Sequence, residues 1–590
     1  MPYNNFVLPF SIGVIVLFAT IIWLYISWAI KLPKRETKAP WYQQIISFIK
    51  GIGEIISECL IHRKIFKHNI LLGYMHMSIA FGWFLLIVIG HIESILVSSS
   101  FTEPLYYSIF LNYFSPDRSF IPGYKFFSFT MDFLLAAILL GILLALIKRL
   151  RSKLFGMRKT SKLRGIDKTA LYSLWLIFPL RLIAESLNAN VHGTGGFLTA
   201  STGQFLSIFL PTAKLEIYAW WAYSFALGIF FVVMPWSRYS HIITEIFLII
   251  VRRLGFKPCY KTSGYTMFDI YSCSRCGICI DSCQLNILST ERNGTVPAHY
   301  IYDIRAKRVE TNETFNCLAC GRCEEACPVG VKSVNLRIGK RHDASFRNTM
   351  TTDFIPEQHE KRADIAYFSG CMGKLTPSVI QSMIKIFETA NETYIHIDEE
   401  KGICCGRPML LSGQIDNAFE LIKLNKKQIE ESGVKTLVTS CPICLKTFKE
   451  DYQLPIEVIH HSEYIDRLIK ENKLKLSKTP AQVAYHDPCE LVREINITQP
   501  PRSVISKMAN IYQTTTKDNQ KLCCGASLAG IALSPEEKQK IAVDAIERIT
   551  ENQTDTLVTS CPLCKKTFGQ TQKIQVLDIA ELVAINLAGK

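Results

Sequence analysis

Residues 436–448 read TLVTSCPICLKTF and residues 556–568 read TLVTSCPLCKKTF, identical at eleven of thirteen positions. Each stretch opens with β-branched residues, which favour a buried strand, and ends that strand at Cys-Pro-x-Cys. The repeat extends upstream through a Cys-Cys-Gly triplet and one earlier cysteine. The ten repeated cysteines are Cys371, Cys404, Cys405, Cys441 and Cys444, then Cys489, Cys523, Cys524, Cys561 and Cys564. The pattern predicts a duplicated pair of domains.

Two further stretches, IAYFSGC and VAYHDPC, also indicate short strands that end at a cysteine, and helix-like residues such as 418–430 follow. Open α/β sheets place their sites at the carboxyl ends of strands. Each domain therefore gathers five thiolates at one edge, one more than a cubane needs, which predicts an unusual cluster. A thioredoxin-like Cys-Pro-x-Cys pair is the alternative. His486 and Asp487 could serve as acid or base, or as turn residues beside Cys489.

Eight more cysteines form two C-x2-C-x2-C-x3-C runs, which is the pattern of two-cluster ferredoxins. In that pattern the fourth cysteine of each run binds the cluster of the other run. One predicted [4Fe–4S] ligand set is Cys273, Cys276, Cys279 and Cys327, and the other is Cys317, Cys320, Cys323 and Cys283. Gln284 stands where the first run would usually have proline. A zinc site would need more widely separated pairs.

The composition limits the class of protein. The chain has 590 residues, a net charge of +15, 48% hydrophobic residues and only 20% charged residues. These values exclude a disordered chain and make an ordinary soluble enzyme doubtful. No basic nucleic-acid motif is present. With 20 cysteines in C-x2-C patterns, metal binding is favoured over a disulfide framework.

Five apolar stretches approach the roughly 20 residues that cross a bilayer. They are residues 6–30, 70–92, 126–147, 170–189 and 217–237, with an apolar pattern that continues to about Val251. Buried core helices are the alternative. The first stretch lacks the features of a signal peptide and predicts an uncleaved transmembrane helix.

Loop charge predicts the orientation. The loop 148–168 holds nine Lys or Arg and one acid, and residues 31–67 are also basic. We therefore expect a multi-pass protein of a bacterial or archaeal inner membrane, with its N-terminus outside and its iron–sulfur domains in the cytoplasm.

Histidines within a membrane are functional candidates. His76 and His91 lie on the second stretch, about 22 Å apart along a helix. His241 matches His76 in depth, so these two imidazoles predict a b-type haem site. His91 with His192 would make a second haem, or each imidazole could be bonded to a neighbouring group. Arg181 and Glu185 could form an ion pair, or line a haem propionate or quinone site; Asp132 is too isolated to assign.

The repeated domains resemble the CCG domains of heterodisulfide reductase catalytic subunits. The resemblance implies a noncubane [4Fe–4S] cluster in each five-cysteine set, with a disulfide cleaved between the clusters. The same domains occur in iron–sulfur subunits of glycolate, lactate and glycerol-3-phosphate dehydrogenases, where they carry electrons.

The N-terminal part is similar to the cytochrome b subunit of heterodisulfide reductase and to the gamma subunit of nitrate reductase. That similarity implies five helices with bis-histidine haems and matches His76 and His241. Relatives carry another histidine after a Trp-Trp pair, where this chain has Tyr223.

Together these features predict a multidomain protein: an all-α five-helix membrane bundle, a small ferredoxin-like domain with two [4Fe–4S] cubanes, and duplicated α/β CCG domains. The expected boundaries are 1–255, 256–345, a linker at 346–362, 363–475 and 476–590. We expect a membrane-bound iron–sulfur oxidoreductase that moves electrons between quinone and a cytoplasmic substrate, with catalysis at the ten CCG cysteines. The alternative is a non-catalytic relay from a soluble dehydrogenase or electron-transfer flavoprotein to quinone. Cys59 and Cys259 are interpreted as incidental thiols.

Overall fold

The computed structural model describes residues 3–33, 40–100, 103–155, 163, 165–258, 260, 264–288, 297–309, 311–344, 353–356, 363–400 and 402–588. The chain forms two compact units. The first comprises Met1–Cys259, Ser263–Asp281 and Cys327–Val331, and the second comprises Tyr260–Thr262, Ser282–Ala326 and Lys332–Lys590. The expected boundaries between four domains stay a prediction.

Five helices of the first unit are long and apolar enough to cross a membrane, as the sequence predicts. They span Asn5–Ala29, Ile70–Ser98, Tyr124–Leu150, Gly165–His192 and Thr212–Trp236. The first and fifth cross closely, because a Cβ on Gly13 would lie 2.8 Å from Gly228 Cα. Small residues allow such close approach of membrane helices. The shorter helices of this unit are Trp41–Ile55, Arg63–His68, Leu105–Ile109, Leu111–Phe114, Phe197–Ser207, His241–Arg253 and Gly264–Ser272.

The apolar pattern that reaches Val251 is not one continuous helix. The fifth span ends in a short 3-10 turn at Met234–Trp236, and Ser237 is extended. Pro235 favours this break because it lacks a backbone donor. His241 is therefore the first residue of a separate helix, His241–Arg253, and not the last turn of span five.

A surface helix, Trp41–Ile55, was not predicted from the sequence. It exposes Trp41, Ile45 and Ile49 along its length. An exposed apolar face on an amphipathic helix is typical of a helix that lies in a lipid interface, which fits the candidate membrane spans of this unit.

The second unit contains two parallel sheets of four strands. The first has the order β2-β1-β3-β4 and the second β6-β5-β7-β8. The strands are β1 (Ile365–Phe368), β2 (Tyr394–His396), β3 (Thr436–Thr439), β4 (Glu457–His460), β5 (Gln482–His486), β6 (Asn510–Ile511), β7 (Thr556–Thr559) and β8 (Gln575–Asp578). The four strands predicted to end at a cysteine are confirmed as β1, β3, β5 and β7. The chain leaves β1 and β3 in opposite directions across the sheet, so the crevice between their carboxyl ends is a topological switch point.

Helices cover both sheets. In the first repeat they are Gly370–Lys374, Pro377–Thr389, Arg407–Ser412, Ile415–Glu431, Pro442–Thr447 and His461–Lys470; in the second they are Gln499–Ser506, Pro535–Thr550, Pro562–Gly569 and Ile579–Ile585. The repeats share a core in which Tyr367, Phe387 and Ile465 pack with Val504 and Ile579. They therefore form one body.

The ferredoxin-type segment consists of short helices and loops. Its helices are Ile278–Ser282, Pro297–Arg305, Thr311–Phe315, Arg322–Glu325 and Ser333–Ala344. Cys273, Cys276 and Cys279 belong to the first unit together with Cys327, whereas Cys283 belongs to the second unit with the other run.

Candidate functional site

The first CCG module gathers its five cysteines from three loops at the carboxyl edge of its sheet. Cys371 lies in the helix after β1, and Cys404 and Cys405 precede the helix Arg407–Ser412. Cys441 is the N-cap residue of Pro442–Thr447, where Pro442 favours the helix start, and Cys444 lies on its first turn.

These five thiols contact or face one another. The Cys444 thiol is hydrogen-bonded to Cys405 and Cys441, and these interactions hold its pKa well above the usual range. Cys371 lies close to Cys405, Cys441 and Cys404, and burial raises its pKa. The hydrogen bond with Cys444 instead lowers the pKa of Cys405. A bound cation such as iron would favour the thiolate form of Cys371 and Cys444.

The backbone around the thiols fits a bulky cluster. Gly370 has φ +71°, and a Cβ there would stand 3.2 Å from Cys444 Sγ. In the described part of the chain, no three His, Cys, Asp or Glu side chains converge as a single metal ion requires. The five donors of this module are all thiols, and iron–sulfur clusters are held by cysteine thiolates. The chemistry of the donor set therefore fits a sulfur-ligated iron cluster.

The second CCG module repeats this arrangement. Its thiols form a connected series, in which Cys489 contacts Cys523, Cys523 contacts Cys524, and Cys524 contacts Cys564. Hydrogen bonds with the thiols of Cys523 and Cys564 lower the pKa of Cys524 to about 5. Cys561 contacts Cys564. Four of the five residues are buried, and Cys489 is half-buried.

The two five-cysteine sets face the same junction. Cys441 is near enough to Cys561 for their charges to interact. Each of these cysteines follows the central strand of its sheet, β3 or β7, so the sequence repeat brings equivalent residues together.

The eight ferredoxin-type cysteines divide into the two groups that their spacing predicts. Cys327 lies beside Cys276 and Cys273, and its burial raises its pKa to about 12. Cys283 lies beside Cys320 and Cys317, and its burial likewise raises its pKa to about 12. Each fourth cysteine is thus close to the other run, and the complete ligand sets stay a prediction.

Gln284, which follows the first ferredoxin-type run, and Arg493, which contacts the second run, attach the ferredoxin-type segment to the second CCG module. The Gln284 amide donates to the Cys523 carbonyl at 3.1 Å and accepts from the Cys523 amide at 2.7 Å. Arg493 donates to the Cys320 carbonyl at 3.0 Å and to Glu325 at 2.8 Å. Cys320 is near enough to Cys489 for their charges to interact.

A buried charge network lies beside the CCG thiols. Arg407, two residues after Cys405, donates to Tyr260 at 3.1 Å and lies 3.7 Å from Glu490. Lys446, two residues after Cys444, pairs with Glu494 and lies 3.8 Å from Glu490. The sequence offered no signal for this network, because its members are far apart along the chain.

In the helical unit, His76 is half-buried, and its Nε2 atom is inaccessible to solvent and has no hydrogen-bond partner among the described residues. His241 lies nearby, and its Nδ1–H donates to the Arg238 carbonyl at 2.7 Å. A proton on Nδ1 gives the tautomer whose Nε2 can bind a metal. His62, which the sequence analysis did not select, stacks against His76 with ring centroids 5.6 Å apart.

The other predicted pair is not brought together in the bundle interior. His192 is exposed at the end of its helix, and His91 Nδ1 lies 3.0 Å from the Ser108 hydroxyl. Arg181 and Glu185 form a buried ion pair at 2.9 Å. Asp132 caps the helix Phe197–Ser207 by accepting hydrogen bonds from backbone amides. His91, Arg181, Glu185 and Asp132 therefore have structural partners, and a second haem at His91 and His192 stays a prediction.

The remaining candidates have partners of their own. His486 is bonded to Thr559 and to the Leu522 carbonyl, and Asp487 pairs with Arg502 at 2.7 Å. Both side chains position the Cys489 loop, which agrees with the turn interpretation. Cys59 is half-buried, and Cys259 lies outside the described residues.

Comparisons with known proteins agree with this organisation. A model of the CCG cysteine-rich domain matches residues 365–449 and 483–569, and a 4Fe-4S dicluster domain model matches residues 272–332. One subunit of the dihydromethanophenazine:CoB–CoM heterodisulfide reductase of Methanosarcina acetivorans is 26% identical over 55% of this chain and 97% of its own length.

Two further relatives match over different ranges. The probable iron-sulfur-binding oxidoreductase FadF of Bacillus subtilis is 20% identical over 88% of this chain and 89% of its own length. The EtfAB:quinone oxidoreductase of Syntrophomonas wolfei is 25% identical over 39% of this chain and 35% of its own length. The chain is therefore an iron–sulfur oxidoreductase that joins a 4Fe-4S dicluster domain to two CCG domains and is related to the heterodisulfide reductase of Methanosarcina.

Proposed function

We propose that this chain is a quinone-linked membrane oxidoreductase whose terminal chemistry takes place at the junction of the two CCG modules. The observation that carries the proposal is the proximity of Cys441 and Cys561, each within a complete set of five thiols. An electron relay needs only one cluster from which electrons leave the protein. Two facing cysteine sets could hold two clusters, and these could together deliver two electrons to a substrate such as a disulfide held between them.

The proposed ligand sets follow the contacts described above. Cys273, Cys276, Cys279 and Cys327 would hold one cubane, and Cys283, Cys317, Cys320 and Cys323 the other. The ten CCG cysteines would hold two further [4Fe–4S] clusters, and His76 with His241 a b-type haem. When bound, these groups would supply one-electron transfer.

Within the second unit the contacts support a linear order. The ferredoxin-type segment adjoins the second CCG module through Gln284 and Arg493, and that module adjoins the first CCG module through Cys561 and Cys441. Arg407 and Lys446 would balance the negative charge of the thiolates near the junction. The proposed orientation puts the iron–sulfur domains in the cytoplasm, as the loop charges favour.

The full chain, purified in detergent, provides the test. Iron and acid-labile sulfide should approach about sixteen atoms of each per chain. A quinol should reduce the clusters, and a thiol–disulfide pair should change the EPR signal of the CCG clusters specifically. Complete clusters that do not respond to any disulfide would argue against the catalytic form of the proposal.

A second candidate is a relay between an electron-transfer flavoprotein and quinone. FadF matches nearly the whole chain, and the name of the Syntrophomonas relative states EtfAB:quinone oxidoreduction. A reduced electron-transfer flavoprotein should then reduce the clusters rapidly, and added quinone should reoxidise them without any disulfide. This result would favour the relay over disulfide chemistry.

A further inference from the structure

Three fully buried ionisable residues meet where the two CCG modules join. His460 ends β4, His461 begins the next helix, and Asp578 ends β8 at the position equivalent to His460 in the repeat. All three are inaccessible to solvent. None of them belongs to the cysteine sets.

Their contacts leave polar atoms unused. His461 Nε2 lies 3.1 Å from Asp578 Oδ1, and the rings of His460 and His461 are 4.3 Å apart between centroids. His461 Nδ1 and Asp578 Oδ2 have no hydrogen-bond partner within the described ranges, whereas the His460 ring interacts with Ser462 and with the backbones of Ser440 and Ser560. Each buried unsatisfied polar atom costs roughly 1–3 kcal/mol. Two at one place indicate a role beyond packing.

Two hydroxyl pairs lie beside the cysteine sets and within range of the charge of Asp578. Tyr367 is hydrogen-bonded to the Ser440 hydroxyl at 2.9 Å, and Tyr485 to the Ser560 hydroxyl at 3.1 Å. Ser440 immediately precedes Cys441, and Ser560 immediately precedes Cys561. The charge of Asp578 acts on both tyrosines. The backbones of Ser440 and Ser560 both lie close to the His460 ring.

The charges around His460 favour its neutral form before reduction. Burial, and then His461 and Lys449, hold the pKa of His460 well below its usual value, while the two serine backbones oppose this shift. Further away, Asp398 acts on Tyr367, and Asp487 and Arg502 act on Tyr485. An added negative charge at the junction would favour a protonated imidazole, because charges interact strongly in a low-dielectric interior.

We propose that His460, His461 and Asp578 form a proton-storing site that is coupled to electron arrival at the CCG modules. The proposal rests on the proposed function. When an electron from quinol reaches the junction, a proton from solvent binds, and an N–H bond forms at His461 Nδ1, the ring nitrogen opposite the one that faces Asp578.

The stored proton supplies one of the two protons that the later chemistry needs, and the second enters from solvent with the second electron. Cleavage of a disulfide breaks one S–S bond, consumes two electrons and two protons, and releases two thiols. The Tyr367–Ser440 and Tyr485–Ser560 pairs offer one route toward each cysteine set. His460, His461 and Asp578 are positioning and proton-holding residues here, and they do not bind the clusters.

The test is an EPR-monitored redox titration of the CCG clusters in the full-length protein. It would run from about pH 6 to pH 9, which spans imidazole titration. We expect the midpoint potential of wild-type protein to fall by about 59 mV per pH unit. This shift corresponds to a tenfold change in the equilibrium constant of a one-electron couple for each tenfold change in proton concentration. Because this measurement uses unmodified protein, its result does not depend on whether any variant folds.

Two variants retain the local fold. His460 and Asp578 are both N-cap residues, and asparagine is a favourable N-cap. His460→Asn and Asp578→Asn should keep cluster content but reduce the pH dependence. The matched control is His342→Gln, which changes a half-buried histidine bonded to the Gly413 carbonyl; its pH dependence should equal that of wild type.

The outcomes separate the two proposals. Absent CCG clusters in wild-type protein would contradict the proposed function. Intact clusters whose potential does not depend on pH would overturn the proton-storing site alone. Both variants retaining the wild-type slope with full iron content would also overturn it.

Discussion

The side-chain amide of Gln284 is bonded in both directions to the backbone of Cys523, at 3.1 and 2.7 Å. Gln284 follows Cys283, and Cys523 begins the second Cys-Cys-Gly triplet. The two residues lie in or beside a small apolar cluster that includes Leu285, Leu318 and Ile541. Gln284, which stands where proline is usual, therefore links the first ferredoxin-type run to the second CCG module.

Gln284→Ala should weaken this junction. The buried Cys523 amide would lose its acceptor, which costs roughly 1–3 kcal/mol. We expect a lower unfolding temperature and slower reduction of the CCG clusters after rapid mixing with quinol, while cluster content stays unchanged. Gln381→Ala, on an exposed helix face, is the control and should match wild type. Equal reduction rates in both variants would contradict a role for Gln284 in the junction.

The internal repeat allowed the strands and cysteine loops of the second unit to be predicted from the sequence. Four short strands ending at cysteines could be predicted, because apolar β-branched runs and closely matching cysteine spacings appear twice within one chain. The five apolar spans were equally clear. Both signals are local, and hydrophobic patterning within a segment determines them.

Contacts between distant segments could not be predicted in this way. Gln284 lies 239 residues from Cys523, and His461 lies 117 residues from Asp578. Their sequence surroundings give no sign that they meet. The break at Ser237 was missed because the apolar pattern continues through it, while the backbone turns at Pro235.

Cys404→Ser with Cys405→Ser should remove the cluster of the first CCG module. Two thiols of five would be lost, and the remaining three cannot complete four ligands. Iron content should fall by about a quarter, and one of the CCG EPR signals should disappear. Cys59→Ser, outside every predicted ligand set, should leave both quantities unchanged. Unchanged iron in the double variant would contradict the ligand map.

His76→Ala should abolish haem binding. One axial imidazole would be lost, and the position has no substitute on the same helix turn. Pyridine haemochrome measurement should give one haem per wild-type chain and none in the variant. His192→Ala changes an exposed imidazole and should retain the haem. A wild-type protein without haem would refute the site, and two haems per chain would require a second pair.

Arg407→Met should lower the midpoint potential of the first CCG cluster. The guanidinium lies two residues beyond Cys405, and its positive charge favours a more negative, reduced cluster. The change also removes one of the two buried cations beside Glu490 and leaves Lys446 as the other, so we expect some loss of thermal stability.

Arg407→Lys separates these two effects. It retains the positive charge but loses the hydrogen bond to Tyr260, so we expect a potential close to wild type together with reduced thermal stability. EPR-monitored titration and thermal unfolding, measured on the same preparations, would check both. A potential that falls equally in the Lys and Met variants would show that packing, rather than the charge of Arg407, sets the potential.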